Sequence, residues 1–308
     1  LQRIIDDLPS EQTPGRSGVT AQNPSAARVC NISSAQIRED LKHLRSGMSK
    51  EKFNNVCSKC RSLPDLYYGG DRSLVITPEK FNTSGFIAMV QMWEWCSGSS
   101  SLSRFLSLEH VTHLPPIDYR YGWDLANAGH QLKLLEGILT IGVGTLFTAS
   151  NCAPWGQNSR SSPEDQRQAR RETETGTLLF LAVACFFQVL LNRKYILENS
   201  PLRHLRLLPF HMALLDQCAV GGSLEGQFIR KRIHFQSSHV MHHLQILCPG
   251  GHQHLHLRGC GRAASSAQYP EEECRRILLD AISPADAPEG GSISPSVHFS
   301  KTSYPDKI

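Results

Sequence analysis

The sequence predicts an α/β domain built on a mostly parallel, Rossmann-like sheet flanked by helices, with disordered N- and C-terminal tails. Short apolar segments typical of strands alternate with amphipathic segments typical of helices between residues 85 and 282. This alternation favours a parallel sheet, because a helix usually makes the crossover between parallel strands. The hydrophobic content of 40% supports a substantial core, and the net charge of +4 permits an anionic partner without requiring one.

The predicted elements follow one another in a regular order. Strands are expected within residues 86–95, 113–125, 142–150, 194–200 and 227–238. A helix is predicted at 128–138, and Ser162-Pro163-Glu164-Asp165 indicates the start of a long helix that runs to about Arg193. Residues 208–221 are interpreted as a further helix. The last helix is predicted at 269–282, with an apolar face formed by Cys274, Ile277, Leu278 and Ile282.

The rest of the chain is interpreted by composition. Residues 1–30 and 283–308 are rich in small and polar residues and lack apolar periodicity, which predicts disordered tails. Residues 31–62 predict a short helical segment that ends in a CxxC motif at Cys57 and Cys60. Residues 63–84 are interpreted as a linker to the α/β domain at 85–282.

Several features bear on where the protein resides. The chain starts with Leu1 rather than Met, which suggests a fragment or a segment of a longer polyprotein. No signal peptide is predicted, because Ile4 and Ile5 are followed at once by two aspartates. The most apolar run, Leu178–Leu191, is short for a membrane span and contains Gln188, so a buried helix is predicted. We therefore expect a soluble intracellular protein, nuclear or cytoplasmic, without a membrane partner.

Polar residues follow the predicted strands at the points where the strands end. Because ligands bind outside the carboxyl ends of strands in open α/β sheets, these residues are candidates for a common site. They are Glu94 to Ser100, Asp118, Asp124, Cys152 and Glu198. Two interpretations of Cys152 stay open at this point: a nucleophile at the end of a strand, or a small apolar residue where a loop begins.

The order of these motifs resembles a known family. The segments are "WEWCSGSSSLS", "PPIDYRYGWDL", "NCAPW", "LEN", "DQC" and "CPGGHQHLHLRG". They resemble the cytosine-5 DNA methyltransferases, a branch of the class I S-adenosylmethionine-dependent fold. They are more similar to a divergent group of methyltransferase-like modules in mobile-element polyproteins of microbial eukaryotes. The resemblance covers roughly Val90 to Ile282.

The resemblance implies S-adenosylmethionine as cofactor and assigns residues to it. The loop with Glu94, Cys96, Gly98 and Ser100 would surround the methionine end of the cofactor. Asp118 would accept hydrogen bonds from the ribose hydroxyls, as an acidic residue does in dinucleotide-binding folds. Asp124 would accept a hydrogen bond from the adenine amino group.

The resemblance also implies a cytosine in DNA as substrate. Cys152 would attack C6 of the ring as a thiolate, and Glu198 would hydrogen-bond N3. Arg230 or Arg232 would help to keep Cys152 ionised.

The sequence departs from the family pattern at several positions. Ser150 and Asn151 replace the two prolines expected before the nucleophile, and Gly156 replaces a serine. Cys96 and Ser100 stand where glycines are expected, so a Cβ atom at either position would crowd the cofactor. "QFIRKR" only approximates the Gln-x-Arg-x-Arg element, and the chain after it is too short for a separate DNA-reading domain.

Cysteines and histidines near the end of the domain predict a structural zinc site. Such a site needs four ligands in a tetrahedral arrangement. The resemblance favours Cys218, Cys248, His252 and His254, with His243 as a further candidate. The alternative is a strand rich in polar histidines without a metal. Cys57 and Cys60 offer only half a zinc site, so two free thiols or a degenerate finger fit them better.

Two functions therefore remain open from the sequence. The first is a methyltransferase-like domain, with DNA and other polyprotein segments as partners. The second is a non-catalytic, zinc-stabilised binding or assembly module of a mobile-element polyprotein.

Overall fold

A computed structural model describes residues 51, 54, 63–83, 89–150, 162–198, 211–257, 262 and 266–283. Its main sheet contains β1 (Val90–Trp95), β2 (His113–Ile117), β3 (Val143–Ala149), β4 (Lys194–Glu198), β5 (His211–Asp216) and β8 (Arg232–Ser237). The strand order is β2-β1-β3-β4-β8-β5, and β8 runs antiparallel to the other five strands. Two short strands, β6 (Ser223–Leu224) and β7 (Gln227–Phe228), form a separate hairpin. The predicted mostly parallel α/β fold is confirmed.

Four α-helices accompany the sheet in the described part of the chain. They are α1 (Ser101–Leu108), α2 (Ala128–Gly137), α3 (Glu164–Leu190) and α4 (Glu271–Ile282). Helix α3 begins directly after Pro163 with Glu164 and Asp165 in its first turn, as predicted. Helix α2 is capped by Asn127, whose side chain accepts hydrogen bonds from the amides of Gly129 and His130.

Each face of the sheet carries its own apolar cluster. Successive residues of β1 point to opposite faces, so Trp93 and Trp95 pack towards α2 and α3, whereas Met92 packs towards α1 and α4. The close approach of α2 depends on Gly137, where an added Cβ atom would lie 2.9 Å from the Trp93 ring. The sheet is therefore covered on both faces, with its strand ends left at the rims.

Helix α3 carries the most apolar run of the sequence. Among the described residues it is the one helix long and apolar enough to cross a membrane, and 59% of its most apolar window is buried. Cys185 is fully buried in the core, as predicted. Gln188 is also fully buried, and its Nε2 donates to the backbone oxygens of Val143 (3.2 Å) and Lys194 (3.0 Å). These contacts with the sheet are those of a core helix.

Two predictions about secondary structure and packing are wrong. Residues 211–216 form a strand rather than a helix, followed by a 3-10 turn at Gln217–Val220. The segment has the two-residue period of a strand: Ala213 and Leu215 are buried, whereas Met212 is exposed and Leu214 is half-buried. Ile282 does not join the buried face of α4, because it ends the helix and stays 39% exposed.

The segment 63–83, interpreted from the sequence as a linker, is part of the domain. Tyr68 and Val75 are buried in the main core, and the Phe81 ring stacks on Trp93 with ring centroids 5.7 Å apart. The indole Nε1 of Trp123 donates to the backbone oxygen of Ile76 at 2.9 Å. The buried residues of segment 63–83 are widely spaced and follow no period, so the sequence pattern did not reveal this packing.

Candidate functional site

The order of the strands defines where a ligand crevice lies. Strand β2 lies on one side of β1, and β3 and β4 lie on the other side. The topological switch point is therefore between β1 and β3, where crevices for ligands form outside the carboxyl ends. Trp95 ends β1 beside Thr148 of β3, and Glu198 ends β4 level with Ala149.

The loop between β1 and α1 has an unusual backbone. Cys96, Gly98 and Ser100 have φ angles of 56°, 55° and 59°, all in the left-handed region that favours glycine. Two of the three are not glycine, at a cost on the order of 1–3 kcal/mol each. They are the two positions where the resemblance expects glycine. The loop therefore keeps a glycine-type backbone with larger residues.

Glu94 ties β1 to α1. Its Oε2 accepts hydrogen bonds from the amide of Ser103 (2.8 Å) and from the Ser103 hydroxyl, whereas Oε1 has no partner among the described residues. The side chain is buried, and burial raises the pKa of this carboxyl to about 8. Burial therefore favours the protonated form of Glu94, and its contacts with Ser103 position the start of the helix behind the loop.

Asp118 fastens the loop to β2. Its Oδ2 accepts from the amide of Gly98 at 3.0 Å, and its Oδ1 accepts from the amide of Arg120 at 2.9 Å. It is buried, and burial is the main cause that raises its pKa. Asp124 is also buried, and its Oδ1 accepts from the amide of Ala126 at 2.9 Å. Both predicted cofactor acceptors are thus buried with backbone partners, and Asp118 contacts the loop directly.

Residues 63–68, which we call the N-terminal strap, lie against this loop. The amide of Leu66 donates to the backbone oxygen of Ser99 at 3.0 Å. The buried guanidinium of Arg120 donates to the backbone oxygens of Leu63 (2.8 Å) and Pro64 (2.9 Å). A Cβ atom added to Gly98 would lie 4.0 Å from the Leu63 side chain. The sequence did not indicate this cover.

Of the predicted catalytic residues, the structure describes Glu198, Arg230 and Arg232 but not Cys152. Cys152 lies outside the described residues, three positions after Ala149 in the sequence. Glu198 is half-buried at the end of β4, and its Oε2 accepts a hydrogen bond from the hydroxyl of Tyr269. Arg230 is exposed.

Arg232 pairs with a carboxylate instead of facing an open site. Its Nε and Nη2 donate to the two oxygens of Asp216 at 2.9 and 2.8 Å. This hydrogen-bonded guanidinium lowers the pKa of the Asp216 carboxyl. Asp216 Oδ2 also accepts from the amide of Cys248 at 2.9 Å. Arg232 therefore supports the loop that carries the predicted metal ligands.

The four predicted metal ligands come together. The ligand atoms of Cys218, Cys248, His252 and His254 all lie within 4.8 Å of one another. The Cys248 sulfur lies 3.6 Å from His252 Nε2 and 3.5 Å from His254 Nε2, and the two Nε2 atoms are 3.0 Å apart. A tetrahedral zinc site has sulfur–nitrogen separations of about 3.6 Å and nitrogen–nitrogen separations of about 3.3 Å. The cluster can therefore bind a metal ion such as zinc.

Local structure explains how the cluster forms. Cys218 lies in the buried 3-10 turn after β5, and the other three ligands lie in one loop. Gly250 and Gly251 have φ angles of 80° and 76°, so the chain turns sharply after Cys248. The amide of Gly250 lies 3.4 Å from the Cys248 sulfur, as expected for an amide that stabilises a thiolate. His243 is not part of the cluster.

The structure also reveals two residues that sequence reasoning missed. The first is Tyr269, which contacts Glu198. The second is Glu273, which is buried in the first turn of α4. Its Oε2 accepts from Gln217 Nε2 at 2.9 Å, and burial raises its pKa to about 8. A charged residue inside an otherwise apolar helix face was the available signal.

Comparisons with known proteins add no relative. No model of a protein family matches the chain, and no curated protein matches it.

Proposed function

We propose that the chain is an S-adenosylmethionine-dependent methyltransferase-like domain whose C-terminal part is held together by structural zinc. The observation that carries this proposal is the left-handed backbone at Cys96, Gly98 and Ser100. The loop lies at the switch point of the sheet and leads into the N-terminus of α1. Strained backbone of this kind clusters at ligand sites, and a helix N-terminus favours the carboxylate of an amino-acid group.

The residues around the loop define how it would hold the cofactor. Gly98 lets the backbone approach the ligand closely, and Asp118 fixes the Gly98 amide. Asp118 and Asp124 would accept hydrogen bonds from the ribose hydroxyls and the adenine amino group. When bound, S-adenosylmethionine supplies the methyl group.

Methylation of cytosine in DNA is the reaction we propose for this site. Cys152 would add to C6 of the ring as a thiolate, which makes C5 nucleophilic. Glu198, as a carboxylic acid, would donate a hydrogen bond to N3, which is an acceptor, and offset the negative charge that develops there. The support is that β3 and β4 are parallel neighbours whose ends are level, with Ala149 opposite Glu198.

Cys218, Cys248, His252 and His254 would hold zinc in a closed structural site. Four protein ligands leave no open coordination position, which distinguishes structural from catalytic zinc. Metal binding would then join the turn after β5 to the loop at 248–254.

A second candidate function is a non-catalytic, zinc-stabilised binding or assembly module. Specific contacts favour it: Cys96 and Ser100 bring side chains into the loop, and Leu63 of the strap lies beside Gly98. In a polyprotein, such a module would serve other segments rather than a small-molecule cofactor.

A covalent trap tests the enzymatic function. DNA that contains 5-fluorocytosine is incubated with the protein and S-adenosylmethionine, and adducts are resolved by denaturing electrophoresis. The proposal predicts an adduct with the unchanged protein and with Cys60→Ala, but none with Cys152→Ala. Absence of an adduct, together with no change in Tm on addition of S-adenosylmethionine, would favour the non-catalytic module.

A further inference from the structure

Tyr269 joins the ends of two neighbouring strands on one face of the sheet. Its hydroxyl donates to Glu198 Oε2 at the end of β4. Its ring packs edge-on against Phe147 of β3, with ring centroids 6.0 Å apart and an interplanar angle of 89°. Phe147 is fully buried, and Ala149, two residues further along β3, packs in the same cluster as Tyr269. The phenol therefore spans the place where β3 and β4 deliver their last residues.

The position of Tyr269 is itself well determined. Pro270 follows it as the N-cap residue of α4, and the amide of Cys274 donates to the Pro270 oxygen at 3.1 Å. Cys274, Ile277 and Leu278 anchor α4 in the core beneath the sheet. Because Tyr269 is held between a buried ring and a packed helix, its hydroxyl has one fixed position. A glutamate side chain by itself is flexible and has no such fixed position.

Burial and the neighbouring Glu198 keep the Tyr269 hydroxyl as the donor in its hydrogen bond to Glu198. Burial, followed by the neighbouring Glu198, raises the pKa of Tyr269 well above its ordinary value, so its hydroxyl stays protonated and donates. Burial also raises the pKa of the neighbouring Glu273 to about 8, which favours its uncharged form beside Glu198.

We propose that Tyr269 is a positioning residue: its hydroxyl fixes the carboxyl group of Glu198 beside the end of β3, on the face of the sheet that α4 covers. This inference rests on the proposed function, in which Glu198 binds N3 of the cytosine ring. The Tyr269 hydroxyl donates to Oε2, which leaves Oε1 to carry the proton that Glu198 donates to the ring nitrogen. A carboxyl group with this task benefits from a fixed orientation, because a small misplacement in the site is costly for the reaction.

The test compares Tyr269→Phe with Tyr195→Phe. The first variant removes the hydroxyl but keeps the ring on Phe147, and the second removes a buried phenol oxygen from β4 on the opposite face. The carbon-13 signal of the Glu198 carboxyl group, assigned with Glu198→Gln, reports directly on the hydrogen bond. We expect this signal to shift in Tyr269→Phe and to stay in place in Tyr195→Phe.

Methyl transfer provides the second measurement. For Tyr269→Phe we expect kcat to fall roughly 10- to 100-fold, the size of one hydrogen bond to a charged group, with S-adenosylmethionine binding unchanged. An unmoved Glu198 signal, or equal losses of kcat in both variants, would overturn the proposal. If the unchanged protein transfers no methyl group, the proposed function fails, but the carbon-13 signal still decides whether Tyr269 positions Glu198.

Discussion

At the scale of single residues, the backbone of the loop after β1 is the most informative feature. Alternate positions 96, 98 and 100 all have left-handed φ angles, although only the central one is glycine. The strain at Ser100 is compensated in part by hydrogen bonds, since its Oγ lies 3.0 Å from Ser97 Oγ and 2.9 Å from Tyr121 Oη. The conformation is therefore held by surrounding contacts against a local preference for another one.

Replacing Cys96 with glycine should stabilise the protein. Glycine adopts φ near +56° without the strain that a Cβ atom causes, so we expect the free energy of unfolding to rise by about 1 kcal/mol. Urea denaturation measures the change. Cys274→Gly is the control, because glycine in the middle of the buried helix α4 should destabilise. A loss of stability in both variants would contradict the strain that we assign to Cys96.

Glu273 should make stability depend on pH. Its folded-state pKa is about 8 against an ordinary 4.5, so folding favours the protonated form. The contribution of Glu273 to the free energy of unfolding is therefore fully present below pH 4.5. It is lost as the pH rises towards about 8, by at most about 1.4 kcal/mol per pH unit. We expect Glu273→Gln to lose less stability over this range. Glu271→Gln, at an exposed position of the same helix, should keep the pH dependence of the unchanged protein.

At the scale of elements, the N-terminal strap and the loop after β1 form one hydrogen-bonded unit. Tyr121 links them, because its hydroxyl donates to Asp65 Oδ1 at 2.9 Å and lies 2.9 Å from the Ser100 hydroxyl. Its ring meanwhile packs edge-on against Tyr68. Any ligand that reaches Gly98 must therefore accommodate or displace the strap.

The variant Tyr121→Phe should loosen this unit without unfolding the domain. It removes the linking hydroxyl and keeps the ring contact, so we expect the amides of Leu66 and Gly98 to exchange with deuterium about tenfold faster. Hydrogen-exchange mass spectrometry measures this change. Tyr119→Phe serves as the control, since that hydroxyl contacts Thr177 of α3 instead. Equal exchange in the two variants would mean that the strap is held by other contacts.

The sequence predicted those elements that have a clear period or a clear start signal. Helix α3 begins where the Ser-Pro-Glu-Asp signal predicts, and β3 and β4 were visible as apolar runs with polar ends. Strand β5 was misinterpreted, because a short apolar run fits a helix as well as a strand. The strap and Tyr269 could not be predicted, since their roles depend on contacts between residues far apart in the chain.

At the scale of the whole molecule, the metal cluster joins the last described loop to the edge of the sheet. Leu215 and Ile246 form a parallel bridge beside it, and Asp216 fixes the Cys248 amide. The Ile229–Leu255 bridge adds a further contact, and a bound metal would stabilise this region beyond these protein contacts.

Removal of zinc should therefore lower Tm. We expect close to one zinc per chain after dialysis, a fall in Tm on chelation, and loss of both properties in His254→Ala. His256→Ala is the matched control, because this exposed histidine belongs to the same sequence run but not to the cluster. A dialysed protein without zinc, and with an unchanged Tm in chelator, would rule out the metal centre.

Binding of S-adenosylmethionine by the loop at the switch point is tested most directly by calorimetric titration with this ligand. We predict heat of binding for the unchanged protein and for Gly226→Val, which changes a glycine of similar φ (73°) in the turn between β6 and β7. Gly98→Val should bind none, because valine blocks the approach to the loop. Absence of heat in the unchanged protein, or equal binding by Gly98→Val, would contradict binding at this loop.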